Sequence, residues 1–408
     1  NVIVGQSGGP TAVINSSLAG VYRTAVDRGA KKVYGMLYGI QGLLDEQYVD
    51  LSKYIRSDLD VEILKRTPSA FLGTCRYKLP DIHENQEIYV KIFEILNKLN
   101  IECFIYIGGN DSMDTTKKLS DYAILTGQSQ KFVGVPKTID NDLALTDHTP
   151  GYGSAAKYIA TSTKEVIRDG IGFSYKKQQV IIIEIMGRNA GWLTGAAALS
   201  RGEDCDGPDL IYLPELTFDI EKFTAKVRKL LVKKDVVVVA VSEGIRIQDG
   251  RYVSELGSAS DYVDAFGHKQ LTGTASYLAN VIHRDIGCKT RAVEFSTLQR
   301  SAAHLASRVD VNEAFMVGGA AVKAADEGDS GKMVVIDRVS DDPYQCATGI
   351  YDVHKIANGE KMVPREWITK DGTYVTEEFI DYVRPLIQGD SPSVMVDGIP
   401  RHLYMGKK

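Results

Sequence analysis

Residues 88–112 read IYVKIFEILNKLNIECFIYIGGNDS. Ile88, Ile92, Ile95, Leu96 and Leu99 recur at spacings of three and four, which marks one buried face of a helix. Cys103 to Ile107 is then apolar throughout, as suits a strand covered on both faces. Two glycines, Gly108 and Gly109, end the run and lead into Asn110, Asp111 and Ser112. Helix, apolar strand and polar glycine turn together make the repeating unit of an α/β protein, in which ligands gather beyond the carboxyl ends of the strands.

The same alternation extends outward. Phe132 to Val135, Val180 to Met186 and Val236 to Val241 are further apolar runs rich in β-branched residues, separated by amphipathic stretches. The fold class is α/β with parallel strands and crossover helices. A chain of 408 residues, 44% hydrophobic and 25% charged, can bury a large core and usually forms two domains. No repeat, low-complexity tract or Pro/Ser-rich linker separates them, so a division must arise by the chain crossing from one to the other. After about Thr348 the sequence turns more polar and reads as an appendage or cap.

A net charge of -5 at pH 7 gives no overall attraction to nucleic acid or anionic membrane, so any anion site must be a local cluster. Cys75, Cys103, Cys205, Cys288 and Cys346 are scattered, without the paired spacing of zinc or redox sites. Asn1 to Gly5 reads as a strand rather than a signal peptide, and no apolar run is long enough to span a bilayer. The expectation is a cytoplasmic protein with reduced thiols.

Glycine-containing turns follow several of the predicted strands. Gly5-Gln6-Ser7-Gly8-Gly9-Pro10 opens a helix and lets backbone N–H groups approach a phosphate, although such a turn is as often purely structural. It has neither GxGxxG spacing nor a Walker lysine. Asn110, Asp111 and Ser112 can hold phosphate oxygens and a hydrated magnesium ion, and Asp111 or Ser112 could equally be a simple helix cap. Pro136-Lys137-Thr138-Ile139-Asp140-Asn141-Asp142 is richer: a carboxylate to accept a hydroxyl proton, a second acid, a cation and a hydroxyl within six residues. Farther on, Arg188 in Met186-Gly187-Arg188 could steady a transferring phosphoryl group, while Glu243, Arg291 and Arg300 could bind a sugar phosphate or be ordinary surface residues.

Taken in order, Gly5–Pro10, Phe71–Arg76, Gly108–Ser112, Pro136–Asp142, Met186–Arg188, Ser242–Gly244 and Arg291–Arg300 resemble the phosphofructokinase family over most of the chain. The resemblance implies two doubly wound α/β domains with mostly parallel sheets and the active site in the cleft between them. Residues 1–150 with about 300–340 would bind the phosphoryl donor, 151–299 fructose 6-phosphate, and about 341–408 would be an extension packed on the second domain. Asp140 then resembles the general base for the sugar 1-hydroxyl, with Thr138 and Asp142 placing substrate and metal and Arg188 steadying the transition state. Thr138, Ile139, Asp140, Met186, Gly187, Arg188, Glu243, Arg291 and Arg300 match sugar-phosphate positions, and Thr297 takes a further one where many ATP-using members have a histidine; Gly8, Gly9, Arg76, Asp111 and Ser112 match donor positions.

Asp111 and Lys137 occupy positions that are usually glycine in ATP-using members, so the resemblance is to the pyrophosphate-dependent branch. An aspartate would crowd a nucleotide, and a lysine would favour compact pyrophosphate; Lys137 thus joins the catalytic set. Magnesium (Mg2+) is implied as cofactor, with Asn110, Asp111 and Asp142 as candidate ligands, although Asn110 stands where many members have an acid. A homodimer or homotetramer is implied, the neighbouring subunit completing the sugar-phosphate site. Gln179 takes the place of a family arginine that reaches across subunits, a task that could fall to Lys176 or Lys177. The alternatives are an ATP-dependent phosphofructokinase, a lipid or NAD kinase lacking most of these motifs, and a catalytically silent sugar-phosphate sensor.

Overall fold

The computed structural model describes residues 1–257, 271, 273–356 and 359–406. Its larger sheet is built from β1 (Val2–Gln6), β2 (Val33–Met36), β3 (Tyr48–Asp50), β4 (Cys103–Gly108) and β5 (Lys131–Pro136). The smaller uses β6 (Gln179–Ile185), β7 (Leu210–Tyr212), β8 (Val236–Ser242) and β9 (Lys289–Glu294). The chain then returns to the larger sheet with β10 (Lys332–Asp341) and β11 (Tyr344–Asp352). The spatial orders are β11-β10-β5-β4-β1-β2-β3 and β7-β8-β6-β9. All pairings in the smaller sheet are parallel, and in the larger only the two edge pairs, β2 with β3 and β10 with β11, are antiparallel.

The apolar runs, broken in β6 by the buried Glu184, are explained by burial on both faces. In β6 and β8, Ile181, Ile183, Ile185, Val238 and Ala240 join one core, while Val180, Ile182, Val237, Val239 and Val241 join the opposite one. Each of these valine and isoleucine side chains contributes about 1.5–3 kcal/mol of transfer free energy. The helix expected from the opening stretch is Gln86–Lys98, whose buried side includes Tyr89, Ile92, Phe93, Ile95 and Leu96 against Phe104 and Phe132.

Helix Arg308–Asp326 packs on helix Ile14–Asp27 with backbones nearly touching. A Cβ on Gly20 would lie 2.0 Å from the Phe315 carbonyl oxygen, and one on Gly318 would lie 2.1 Å from that of Ser17. Neither position has room for a side chain, so this contact locks a late segment onto an early one.

The tail differs from its expected placement. Tyr344–Asp352, read as the start of an extension on the second domain, is instead the outer strand of the larger sheet. It is antiparallel and half solvated, so its polar residues hid a strand. Val363, Ile368, Val375, Phe379, Ile380, Val383 and Leu386 do pack against Trp192 and the β6 side of the smaller sheet, and Leu403 and Met405 cross back to the core of the larger sheet around Val4 and Ile105.

Candidate active site

The carboxyl ends of β1, β4 and β5 face those of β6 and β8 across a cleft of about 400 Å³. Its lining includes Gly8, Gly9, Arg76, Asn110, Asp111, Ser112, Lys137, Thr138, Ile139, Asp140 and Asp142 from the larger-sheet side. Met186, Arg188, Glu243 and Arg300 come from the other side. Parallel strands place these loops together because every crossover returns the chain to the same sheet end.

The glycine turns act through space and conformation. Gly8 has φ +75°, a left-handed value that glycine adopts freely, and its missing side chain leaves Lys137 Nζ in place 3.4 Å from where a Cβ would be. Helix Asn110–Thr126 begins at Gly109, with no side-chain cap on its first N–H groups. Asp111 and Ser112 therefore lie inside the first turn instead of capping it, and the amino end of the helix offers uncapped donors towards anions.

Lys137 is only 3% exposed, and its Nζ donates to the Gly9 carbonyl oxygen at 2.7 Å. Burial pushes its ammonium down to about 8, a shift partly resisted by Asp140 and Asp142. Burial raises the Asp140 carboxyl, while Lys137, the Thr138 hydroxyl, Arg188 and Arg300 pull it back. The Asp140 N–H donates to Thr138 Oγ1 at 3.0 Å, which fixes the Asp140 loop locally. Asp142 is pushed up to about 7 by burial and by the charge of Asp140, and Glu243 to about 8 by burial and the same neighbour. Arg300 is held below its ordinary range by burial and by nearby Arg76. Anionic substrate would relieve that crowding of cations.

Asn141, between the two aspartates, has φ +56° and is fully buried. Its Oδ1 accepts from the Thr149 N–H at 3.0 Å and its Nδ2 donates to the Tyr382 hydroxyl at 2.9 Å, which holds the loop in this left-handed bend. Across the cleft, the Met186 N–H donates to Gln299 Oε1 at 3.1 Å, and the Ser242 hydroxyl donates to the Gly187 carbonyl. A Cβ on Gly244 would lie 1.9 Å from the Arg188 carbonyl oxygen, so the arginine loop rests directly on backbone.

Arg291, Thr297 and Gly187 are not among the residues lining the cleft. Arg291 lies on edge strand β9 and pairs with Asp169 at 2.8 Å, and Thr297 is exposed at the start of a short helix. Gly187 instead supports its neighbours, with φ +134° and its N–H 3.4 Å from Glu243 Oε1. Gln179 is buried and donates to the Gly170 carbonyl at 2.5 Å, so it serves packing within the chain. Asn189 and Glu360 also line the cleft. Asn189 directly follows Arg188 and could have been read from that motif; Glu360 belongs to the tail, where no motif signals it.

Among the described residues, no three His, Cys, Asp or Glu side chains converge as a metal cage. Asn110 Oδ1 is nevertheless buried without a hydrogen-bond partner, and Asp111 and Asp142 line the same cleft. These are hard oxygen donors, suited to a magnesium ion that takes its other ligands from water and phosphate.

The phosphofructokinase family model matches residues 1–325. A pyrophosphate--fructose 6-phosphate 1-phosphotransferase of Xanthomonas campestris is 43% identical over 406 residues, 99% of this chain and 96% of the relative. Its counterpart in Halomonas elongata is 40% identical over 409 residues, covering 100% and 96%. The crystal structure of a pyrophosphate-dependent phosphofructokinase from Nitrosospira multiformis superposes with a TM-score of 0.88 at 37% identity, covering 98% of this chain and 95% of the other. Family match, near full-length relatives and shared architecture agree, and the chain belongs to the phosphofructokinase family.

Proposed function

We propose that the protein transfers a phosphoryl group reversibly from pyrophosphate to the 1-hydroxyl of fructose 6-phosphate, giving fructose 1,6-bisphosphate and phosphate. The observation that carries the donor assignment is the buried Lys137 ammonium, held at the glycine turn among Asp140, Asp142, Arg76 and Arg300. A point charge so placed rewards a small, dense anion. The names of the relatives in Xanthomonas and Halomonas support the same reading.

In this mechanism Asp140 accepts the proton of the 1-hydroxyl as its oxygen attacks the donor phosphorus. Burial raises its carboxyl above the ordinary value, which strengthens it as a base, and Thr138 orients it. Lys137 and Arg188 steady the charge on the transferring group, and Gly8, Gly9, Arg76 and the helix end at Asp111 and Ser112 receive the leaving phosphate. Ile139, Met186, Glu243 and Arg300 shape the sugar-phosphate side. Magnesium would be held by Asp142, Asp111 and Asn110 and would neutralise donor oxygens. No helix among the described residues is long and apolar enough to cross a membrane, in keeping with a cytoplasmic setting.

A homo-oligomer accounts for Arg291. The β9 edge carries it on the outside of the smaller sheet, where Lys289 of the same strand lies over the exposed ring of Phe173. Facing a second copy, Arg291 and Thr297 would close that copy's sugar-phosphate site.

The test is a coupled assay with fructose 6-phosphate and magnesium, comparing pyrophosphate with ATP for the wild type and for Asp111→Gly and Lys137→Gly. Turnover with pyrophosphate, lost in Lys137→Gly, is expected. Turnover with ATP alone would overturn the donor assignment, and sugar-phosphate binding without turnover would favour a silent sensor.

A further inference from the structure

The tail residues Glu360 and Lys361 lie beyond the segment 1–325 that the family model matches, yet they touch both walls of the cleft. On the base side, Glu360 bridges Leu143 in antiparallel fashion and the Lys361 N–H donates to the Asp142 carbonyl at 2.7 Å. The Lys361 ammonium reaches the Thr146 and Asp147 carbonyls at 3.2 and 2.5 Å. On the arginine side, Asn189 Nδ2 donates to the two Glu360 carboxylate oxygens at 3.1 and 3.3 Å. The Trp192 indole N–H donates to the Lys361 carbonyl at 2.8 Å, and the Lys361 ammonium lies 5.3 Å from the Trp192 ring centre.

Two residues thus bond to the loop that carries Asp140 and to the loop that carries Arg188, which come from different sheets. In-line transfer needs these groups at a fixed separation, and an error near 1 Å can cost about a hundredfold in rate. Glu360 Oε1 and Oε2 both face Asn189, the residue next to Arg188, although the side chain is exposed to the cleft. Glu215 reinforces the join, its Oε1 accepting from the Gly191 N–H at 2.8 Å and the Val363 N–H at 3.0 Å.

Resting on the reaction proposed above, we propose that Glu360 and Lys361 are positioning residues, a crosspiece that sets the spacing between the base loop and the arginine loop. Losing it should lower kcat while leaving the ground-state affinity for each substrate nearly unchanged.

The test compares Glu360→Ala, Glu360→Gln, Lys361→Met and Lys361→Arg in the full chain, by steady-state kinetics and by hydrogen exchange of peptides spanning 138–147 and 187–192. Glu360→Ala and Lys361→Met should lose about 10- to 100-fold in kcat, with KM for both substrates within about threefold. Exchange should quicken in both loops. Glu360→Gln should recover to within about threefold, because its amide oxygen still accepts from Asn189. Should Lys361→Met fail to fold, the exposed Glu360 pair decides the matter alone. A Glu360→Ala enzyme with kcat within twofold of wild type and unchanged exchange overturns the proposal, as does an equal loss in Glu360→Gln, which would assign the effect to charge. If the wild type showed no turnover with any donor, the reaction would be wrong, and the exchange measurements would still decide the crosspiece.

Discussion

Replacing Lys137 by methionine keeps most of the side chain's length and removes its charge. Burial pushes this ammonium from 10.5 down to about 8, and at ~1.4 kcal/mol per tenfold loss of proton affinity the folded protein carries a penalty of about 3 kcal/mol. The bond to the Gly9 carbonyl returns about 1 kcal/mol, leaving a net cost of about 2 kcal/mol. The unfolded chain holds more protons than the folded one between about pH 8 and 10.5, so stability from this group rises with pH across that window and the penalty is full below it. Lys137→Met should therefore melt about 2 °C higher than wild type at pH 7. A charge contact with pyrophosphate near 4 Å is worth about 4 kcal/mol before desolvation at an intermediate dielectric, so kcat/KM for pyrophosphate should fall at least about a hundredfold. The wild type should also lose kcat/KM about tenfold per unit as pH rises beyond 8, while the variant shows no such limb. A coupled assay and a thermal scan read both effects. A variant within fivefold of wild-type kcat/KM, or one that melts lower, would refute this reasoning.

Asp140→Ala should reduce turnover at least about a hundredfold while fructose 6-phosphate still binds by calorimetry; near-normal turnover would remove Asp140 as the base. Among the described residues Arg291→Ala breaks only an exposed pair with Asp169 and should leave melting unchanged, yet raise KM for fructose 6-phosphate about tenfold or more. Mixed oligomers of Arg291→Ala and Asp140→Ala should then regain some activity, since one kind of site escapes both changes. His148 is buried between Asp147 at 2.7 Å and Glu313 at 2.6 Å, and although burial opposes its charge, Glu313 and Asp147 raise it above 6.5. Its stabilisation is full below about pH 6.5 and fades as pH rises through the folded value, whereas that of Asp147 and Glu313, both lowered, fades in acid. Glu313→Gln should thus cost most stability in denaturant titrations between about pH 5 and 6.5, and a loss that grew towards alkaline pH would contradict the assignment.

What the sequence disclosed depended on how local each signal was. Apolar strands and the polar loops at their ends are contiguous, so β4, β5, β6 and β8 and the loops beyond them could be read directly, and the α/β class followed. The family resemblance then supplied order and roles that periodicity cannot give. Edge strands are half solvated and lack an apolar run, which is why β11 passed for an appendage. Gln179 faces inward because its amide meets the Gly170 carbonyl, a partner that lies on a neighbouring helix and leaves no trace in spacing. Glu360 reaches the cleft through tertiary contacts of Lys361 with residues more than two hundred positions earlier.

The return of β10 and β11 to the larger sheet has a consequence for biosynthesis. When a ribosome has delivered residues 1–136, β5 has no outer neighbour, and the shielding helix Arg308–Asp326 does not yet exist. The smaller sheet emerges whole before that shortage is made good. An open, apolar strand edge is a site for wrong pairing, so the nascent chain passes through a long interval of vulnerability that its finished form conceals. Chaperone dependence during synthesis should accordingly end only after about residue 341 clears the exit tunnel, when Lys332 and Met333 can zip onto Val133 and Gly134.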